Sequence, residues 1–523
     1  MQTTRPPTPL RLWLALVIAA VAGPVLDSGF PDLGIWPLTF VGIAMVLVAV
    51  RGQSAARALL IGFVAGSSFF LIHVQWATLF LGPVPWVALS LLEGFFFALG
   101  CVAIALAYRM LPIGRHPLER LVALPIVVAG LWTAREAWAS VWPYGGFAWG
   151  RVAQSQSESP LAPLFSWLGT SGVSFVMVLV VAMAVEAVYL RAARPTVRLI
   201  PVAVVLVAML ATPAFPVTVD GTLRVAAVQG NSKAGYFDER ELGDNLQDHV
   251  DATLPILDEN VDVIVWPEAA SDLNPLTSRY AASVFDQIAE QAGVPLVGGA
   301  ITDRSDGLFN TSFLWEPGVG PTDHYDKKHP VPFGEYVPDR AFFESLAPDL
   351  IGLIGREYSP GTTDGVFDLG GVIAGINICF DIFDDQLLTE SVEQGAEIIF
   401  AQTNNADFGR TDESVQQLAV ARIRALELGR SVVNISTVGT SAIIAPDGGA
   451  IDELEWHTAD SMVAEVPLSS TSTAALQFGR EIEWAVSGLG LLGLLIGAGA
   501  AWQASRPAPD RRMARTKKGQ PRG

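Results

Sequence analysis

Three segments of this chain carry side chains that could together perform acyl transfer. Gly375-Ile376-Asn377-Ile378-Cys379-Phe380-Asp381 ends an apolar, strand-like run on a lone cysteine. Val263-Ile264-Val265-Trp266-Pro267-Glu268 ends a similar run on a carboxylate, and Lys327-Lys328-His329-Pro330-Val331-Pro332-Phe333-Gly334-Glu335 supplies a lysine and a second glutamate. A thiol nucleophile, a base to take its proton and a fixed cation for the developing oxyanion are the parts such a reaction needs. A free thiol ionises near pH ~8.5, so a nearby lysine is needed to stabilise the thiolate and a nearby carboxylate to accept the proton.

Each residue also has a plainer use. A free cysteine is often a small buried hydrophobe, a glutamate such as Glu268 can sit at a helix start, and most lysines are solvated surface charges. The order Glu, Lys, Cys, with a loop stiffened by Pro330 and Pro332, favours the chemical reading. The six histidines have no metal-ligand spacing and no Gly-x-Ser-x-Gly elbow is present, so neither a metal nor another cofactor is expected. Gly488-Leu489-Gly490-Leu491-Leu492-Gly493 matches a dinucleotide pattern but lies within an apolar run. Helix packing is the expected use of those glycines, and of Gly493 with Gly497.

The elements that must position these residues lie between 220 and 483. Strands are expected at Leu223–Gln229, Val261–Trp266, Val294–Gly298, Thr311–Trp315, Val372–Ile378, Glu397–Gln402, Ser431–Ser436, Ser441–Ala445 and Met462–Val466. Helices are expected at 238–257, 275–291 and 414–429, the last with Val415, Leu418, Ala419, Ile423 and Leu426 at helical spacing. Such alternation predicts an α/β sandwich.

The rest of the chain is a different medium. Hydrophobic residues make up 51% of the sequence and charged ones 16%, and the long apolar runs fall outside the polar region. Candidate membrane spans lie near 10–26, 35–50, 57–81, 85–108, 121–143, 172–190, 199–215 and 484–502. Alternate loops hold Arg51 and Arg57, then Arg109, Arg115 and Arg120, then Arg191, Arg194 and Arg198. The tail adds Arg506, Arg511, Arg512, Arg515, Lys517, Lys518 and Arg522, while the opposite loops hold only Arg151. By the positive-inside pattern, with Arg5 and Arg11 marking an uncleaved signal anchor, the polar region faces outward across a cell membrane. The expected organisation is a seven-helix membrane domain at 1–215 and an extracytoplasmic catalytic domain at 216–483. An eighth span at 484–502 and a basic cytoplasmic tail at 503–523 complete it.

The net charge of −19 then belongs to the external domain, which argues against nucleic-acid binding. Cys101, inside a span, and Cys379 should not pair, so a thiol kept free outside the cytoplasm needs a purpose.

The motifs around Glu268, Lys327 and Cys379 resemble the nitrilase superfamily. Also similar are Val228-Gln229-Gly230-Asn231, Asn310-Thr311 and Ala421-Arg422-Ile423-Arg424-Ala425-Leu426-Glu427. The resemblance implies an α-β-β-α sandwich with Glu268 as general base, Lys327 stabilising the tetrahedral intermediate and Cys379 as nucleophile. Glu335 would position that triad, and the Phe380 N–H is a natural oxyanion donor. Eight spans, together with Trp142-Pro143-Tyr144-Gly145-Gly146-Phe147-Ala148-Trp149-Gly150, resemble the membrane branch of that superfamily, the apolipoprotein N-acyltransferases. Three positions depart from the branch's pattern. Cys379-Phe380-Asp381 stands for Cys-Tyr-Glu, Asp407 replaces a tryptophan in Asn404-Asn405-Ala406-Asp407-Phe408-Gly409, and Phe237 stands where tryptophan is common.

The resemblance implies ping-pong acyl transfer within the bilayer. A membrane phospholipid would donate a fatty acyl chain to Cys379 as a thioester. The α-amino group of a diacylglyceryl-modified apolipoprotein cysteine would then accept it. Substrate contacts are expected from Phe380, Asp381, Asn310 and Phe237, and the apolar stretch 341–355 is a candidate lid or an ordinary helix and loop. Glu93, Arg135 and Glu136 are functional suspects because they lie in or near spans. The rival readings are a membrane-anchored carbon-nitrogen hydrolase, an amidase or nitrilase with water as acceptor, and a catalytically silent scaffold.

Overall fold

The computed structural model describes residues 7–111, 119–191 and 193–505. Arg5, Arg115 and the basic tail residues from Arg506 to Arg522 lie outside the described residues.

The N-terminal part is helical: α1 (Leu12–Asp27), α2 (Pro37–Val50), α3 (Ala55–His73), α4 (Thr78–Leu81), α5 (Pro83–Met110), α6 (Leu124–Ala139), α7 (Leu164–Tyr189) and α8 (Pro195–Leu210). Among the described residues five helices are long and apolar enough to cross a membrane: Ala55–His73, Pro83–Met110, Glu119–Ala139, Leu164–Tyr189 and Ala474–Gln503. The helices at the other three expected spans, α1, α2 and α8, are apolar but shorter. The run at 57–81 is α3 as far as His73, where Val74 leaves helical geometry, then a short turn and α4; Gly82, with φ 79°, ends α4, and Pro83 begins α5. The run at 121–143 ends as helix at Ala139, ahead of Pro143 and two left-handed glycines.

A long final helix runs from Ala474 to Ser505 and starts ahead of the apolar stretch. It packs on α6 at backbone distance, since a Cβ on Gly490 would lie 2.4 Å from the carbonyl carbon of Gly130. The glycines that mimic a dinucleotide motif therefore include a helix–helix contact.

Among the described residues twelve strands form two sheets. They are β1 (Gly221–Gln229), β2 (Val263–Val265), β3 (Leu296–Arg304), β4 (Gly307–Glu316), β5 (Gly320–Asp326), β6 (Val366–Asp368), β7 (Ile373–Ile378), β8 (Ile398–Thr403), β9 (Ser431–Ser436), β10 (Ala442–Ile444), β11 (Ala450–Glu453) and β12 (Asp460–Leu468). The orders are β12-β1-β2-β3-β4-β5 and β11-β10-β9-β8-β7-β6. At their centres β1, β2 and β3 run parallel, as do β7, β8 and β9. Three strands went unread in the sequence, β5, β6 and β11, and all three are sheet edges. An edge strand is covered on fewer sides, so its residues need not be apolar; β11 is exposed throughout.

Between the sheets Val225, Val263 and Val297 meet Ile376, Ile398 and Val433. The outer face of the first sheet is covered by α9 (Asp244–Thr253) and α10 (Arg279–Ala292). Between the two sheets in sequence, α11 (Arg340–Leu346) and α12 (Pro348–Ile351) form an arm over the Lys327–Glu335 loop. The second sheet is covered by α13 (Asp385–Glu393) and α14 (Asp412–Leu428), giving four layers, α-β-β-α. On its other side the α13–α14 layer packs on the bundle, so Ile399 and Ile423 share one apolar cluster with Trp149 and Phe165. Hence α14 is buried on both faces.

Candidate active site

The candidate residues converge where strands of the two sheets end. Glu268 follows β2, Lys327 follows β5, Asn310 lies in β4 and Cys379 follows β7. Side chains beyond the carboxyl ends of parallel strands face a shared crevice. No helix begins at Glu268, where the chain makes a turn, so it is not a helix-start acid. That turn lies tight on β3: a Cβ on Gly299 would sit 2.6 Å from the Pro267 carbonyl oxygen and 2.9 Å from Glu268 Cα. Glycine is what lets the carboxylate loop approach.

Asn310 links the two glutamates, its Nδ2 donating to Glu268 Oε1 at 2.7 Å and to Glu335 Oε1 at 2.9 Å. Glu335 Oε2 accepts from the Val331 N–H at 2.6 Å and pairs with Lys327 Nζ at 3.0 Å. Lys327 is 1% exposed, so it is no solvated surface charge. Beyond that ion pair its ammonium has no well-directed hydrogen bond among the described residues, and neither has Glu268 Oε2. Lys327 is thus paired to Glu335 with ammonium protons to spare, and the Glu268 carboxyl lies within hydrogen-bond reach of the Cys379 thiol.

Cys379 opens a short helix, Cys379–Phe383, with φ 54°, a left-handed backbone that costs a non-glycine residue energy. Ala269, beside Glu268, and Phe333, between Lys327 and Glu335, share that conformation. Such strain persists only where the surroundings over-determine it, and here they do. Asp381 Oδ2 accepts from the Ile378 N–H at 3.1 Å and the Tyr325 hydroxyl at 3.0 Å, and Gln417 Nε2 donates to the Cys379 carbonyl at 3.1 Å. Gln417 is held in turn by Asn405, whose Nδ2 donates to it and to Glu413 at 2.7 Å each.

Electrostatics set the resting protonation. Burial pushes the Glu268 carboxyl up to about 7, against the pull of Lys327. Burial opposes the Lys327 charge, yet Glu335 and the neighbouring acids hold its ionisation above the ordinary lysine range. The Cys379 thiol is raised well above its usual value, by burial first and by Glu268 next. Burial also lifts Asp381 to about 6 and Glu413 to about 8. A neutral thiol thus rests beside a base of near-neutral pKa and a permanent cation. That arrangement can transfer a proton from sulfur to carboxylate while the lysine stabilises the anion formed.

The turn after Cys379 rests on the bundle. The Phe380 ring is stacked with Phe147 and Trp149 at centroid distances of 6.1 and 6.3 Å, and Phe383 stacks on Trp149 at 4.3 Å. Trp149 Nε1 donates to Gln416 Oε1 at 2.6 Å. A chamber of about 940 Å³ opens alongside, between bundle and sandwich, with Tyr144, Thr170, Lys328, Phe380, Asp381 and Trp484 among its walls. It adjoins the cysteine turn, whereas Glu268, Lys327 and Cys379 are not in its wall.

The first part of the chain matches the apolipoprotein N-acyltransferase N-terminal domain over residues 22–183, and residues 224–476 match carbon-nitrogen hydrolase. Over 521 residues the chain is 32% identical to the apolipoprotein N-acyltransferase of Mycolicibacterium smegmatis, covering 91% of this chain and 84% of that one. The chain belongs to the apolipoprotein N-acyltransferase family. Members from Nitrosomonas europaea and Photobacterium profundum are 28% and 26% identical, covering 94% and 85% of this chain and 99% and 87% of theirs. Among solved structures, an amidase from Nesterenkonia sp. aligns at 18% identity over 51% of this chain and 97% of its own, with a TM-score of 0.38.

Of the remaining candidates, Phe237 is 52% exposed and its ring packs on Tyr236 and on Phe80 of α4. Asp407 accepts from the Tyr236 N–H at 2.6 Å and so anchors that loop. The stretch 341–355 is buried on one side and exposed on the other. Ile351 and Ile354 are buried with Leu81 and Val337, whereas Phe342, Leu346 and Leu353 project outward. Glu93, Arg135 and Glu136 are all buried within the protein; Glu136 accepts from the Trp132 indole at 2.8 Å and the Val152 N–H at 3.1 Å.

Sequence reasoning missed Tyr325, Asn405, Glu413 and Gln417. Burial marks them in the structure: Glu413 and Gln417 stand with Gln416, Arg424 and Glu427 as buried polar residues on α14, a helix covered on both sides.

Proposed function

We propose that this protein N-acylates apolipoproteins by a ping-pong route through Cys379, with a membrane phospholipid as acyl donor. Glu268 takes the thiol proton and the sulfur attacks the ester carbonyl, forming an oxyanion beside Lys327 and the Phe380 N–H. The carbon–oxygen bond breaks, Glu268 returns the proton to the departing lysophospholipid oxygen, and a thioester remains. The neutral α-amino group of a diacylglyceryl-modified cysteine then attacks. Its proton passes to Glu268, the carbon–sulfur bond breaks, and the amide is released with the thiol restored. Glu335 and Asn310 hold Lys327 and Glu268 in register throughout.

The observation that carries this reading is the seating of the cysteine turn on the bundle through Phe380, Phe147 and Trp149. A hydrolase of small dissolved substrates gains nothing from a nucleophile built against apolar helices. Transfer between two bilayer-anchored molecules requires it. The arginine asymmetry of the loops supports a multi-pass chain with the sandwich outside the cytoplasm.

The test is intact-protein mass spectrometry of the solubilised enzyme mixed with a defined phospholipid. A hydroxylamine-labile gain of one acyl chain is expected in the wild type and not in Cys379→Ala. Acyl transfer that survives Cys379→Ala would sink the thioester route. Rapid hydrolysis of the adduct, with no transfer to a lipopeptide amine, would favour the amidase reading.

A further inference from the structure

Arg424 of α14 is 3% exposed and reaches the far end of the helix that Cys379 begins. Its Nε donates to the Ile382 carbonyl at 2.8 Å and its Nη2 to the Phe383 carbonyl at 3.0 Å. The same guanidinium binds two carboxylates, Asp385 at 2.5 Å and Glu427 at 2.6 Å. Each carboxylate continues into the bundle. Asp385 is gripped by both terminal nitrogens of Arg151, at 2.8 and 2.9 Å, while its other side faces the chamber. Glu427 accepts from the Thr170 N–H at 2.5 Å and the Thr170 hydroxyl at 2.6 Å. Thr170 follows Gly169, whose φ of 67° and ψ of 171° interrupt α7. The interruption turns the Thr170 N–H away from the helical ladder towards Glu427.

We propose that Arg424, clamped by Asp385 and Glu427, is a positioning residue through which the bundle fixes the geometry of the Cys379 turn. The inference rests on the reading of Cys379 as nucleophile. A buried ion network could serve merely to join two domains, and breaking one partner of such a network destabilises whatever its role. What separates this network is where its free donors go. They hold the carbonyls that close the turn, while Gln417 holds the carbonyl of Cys379 itself. A left-handed cysteine pinned at both ends keeps its sulfur aimed; with one end loose, attack slows although substrate still binds.

The variants are Arg424→Lys, which keeps the charge but not the fork, and Thr170→Val, which removes only the hydroxyl bond to Glu427. Two rates are measured on the full-length solubilised enzyme. One is thioester formation at increasing concentrations of a synthetic diacyl phospholipid in mixed micelles. The other is alkylation of Cys379 by iodoacetamide, followed by intact mass. For Arg424→Lys the maximal acylation rate should fall on the order of tenfold or more, with the half-saturating phospholipid concentration unchanged and alkylation slowed. Thr170→Val should move both rates in the same direction by less. Both rates within about twofold of wild type in Thr170→Val would overturn the proposal, as would losses that only track the unfolded fraction. If Arg424→Lys does not fold, Thr170→Val decides alone. Cys379→Ala is run alongside, because activity surviving there overturns the nucleophile assignment and not the clamp.

Discussion

Replacing Glu335 by glutamine is the sharpest test of the site's electrostatics. Glu335 Oε1 accepts from Asn310 at 2.9 Å, while Oε2 accepts from the Val331 N–H at 2.6 Å and pairs with Lys327 at 3.0 Å. Glutamine has one acceptor oxygen and one donor NH₂, so either orientation turns a donor towards a donor. One charge-assisted hydrogen bond in a buried site contributes about 1.5–3 kcal/mol, so acylation should slow roughly 10- to 100-fold. The pH dependence is more diagnostic than the rate. The Glu335 charge raises the ionisation of Glu268, Lys327 and Cys379 alike. Removing it must lower all three. For Glu268, deprotonated when it acts as base and raised by burial to about 7, the acidic limb of the acylation profile is expected near that pH in the wild type and should move to lower pH in the variant. For Lys327, protonated when it acts, the basic limb should also move down. The assay is single-turnover thioester formation followed by quenched-flow mass spectrometry across the pH range. An acidic limb that stays in place or moves upward would refute the electrostatic account, whatever the rate.

Three further outcomes follow from the packing and the buried charges. Trp149→Ala removes the ring that stacks on Phe380 and Phe383 and the donor to Gln416. It should cost about 3–5 kcal/mol of stability, read as a lowered melting temperature in detergent. Gly490→Ala places a methyl against the Gly130 backbone, so α6 and the final helix must separate. Melting should fall, whereas Gly488→Ala, with open space around the new methyl, should leave it unchanged. Glu413→Gln tests a carboxyl that burial lifts from 4.5 to about 8. Because the folded state binds this proton more tightly than the unfolded chain, Glu413 contributes less stability as pH rises from 4.5 through 8. The glutamine variant lacks that loss, so its stability relative to wild type should be greater at pH ~9 than at pH ~6. An unchanged difference between the two pH values would show that Glu413 does not carry the proton.

The legible parts of the fold were those that physics writes locally. Runs such as Ser431–Ser436 and Ile373–Ile378 read as strands because both faces of a central strand are buried, and α10 read as a helix because one of its faces is. β5, with the sequence Gly-Pro-Thr-Asp-His-Tyr-Asp, did not, since an edge strand is defined by its pairing to β4 and not by its own apolar pattern. Span ends were blurred for a related reason. Hydropathy sums side chains, while Gly82 ends α4 and Pro83 starts α5 through the backbone.

The site divides the same way. Glu268, Lys327, Glu335 and Cys379 were readable because each stands where an apolar run or a proline-stiffened loop gives way to a reactive side chain. Asn310, a polar residue in a strand, was recoverable only through resemblance. Tyr325, Gln417, Asn405 and Arg424 orient the cysteine turn from positions distant in the chain, and no local pattern distinguishes them from surface residues. Tyr325 is buried between the sheets, whereas Gln417 and Arg424 owe their role to a helix, α14, that the bundle covers. A soluble sandwich would expose that face, and Gln416, Arg424 and Glu427 would then be ordinary surface polar residues. Covered by the bundle, each must find a partner, and the partners available are the cysteine turn on one side and Trp149, Arg151 and Thr170 on the other. Burying α14 on both faces thus converts residues that would solvate a surface into the connection between the membrane part of the chain and the thiol.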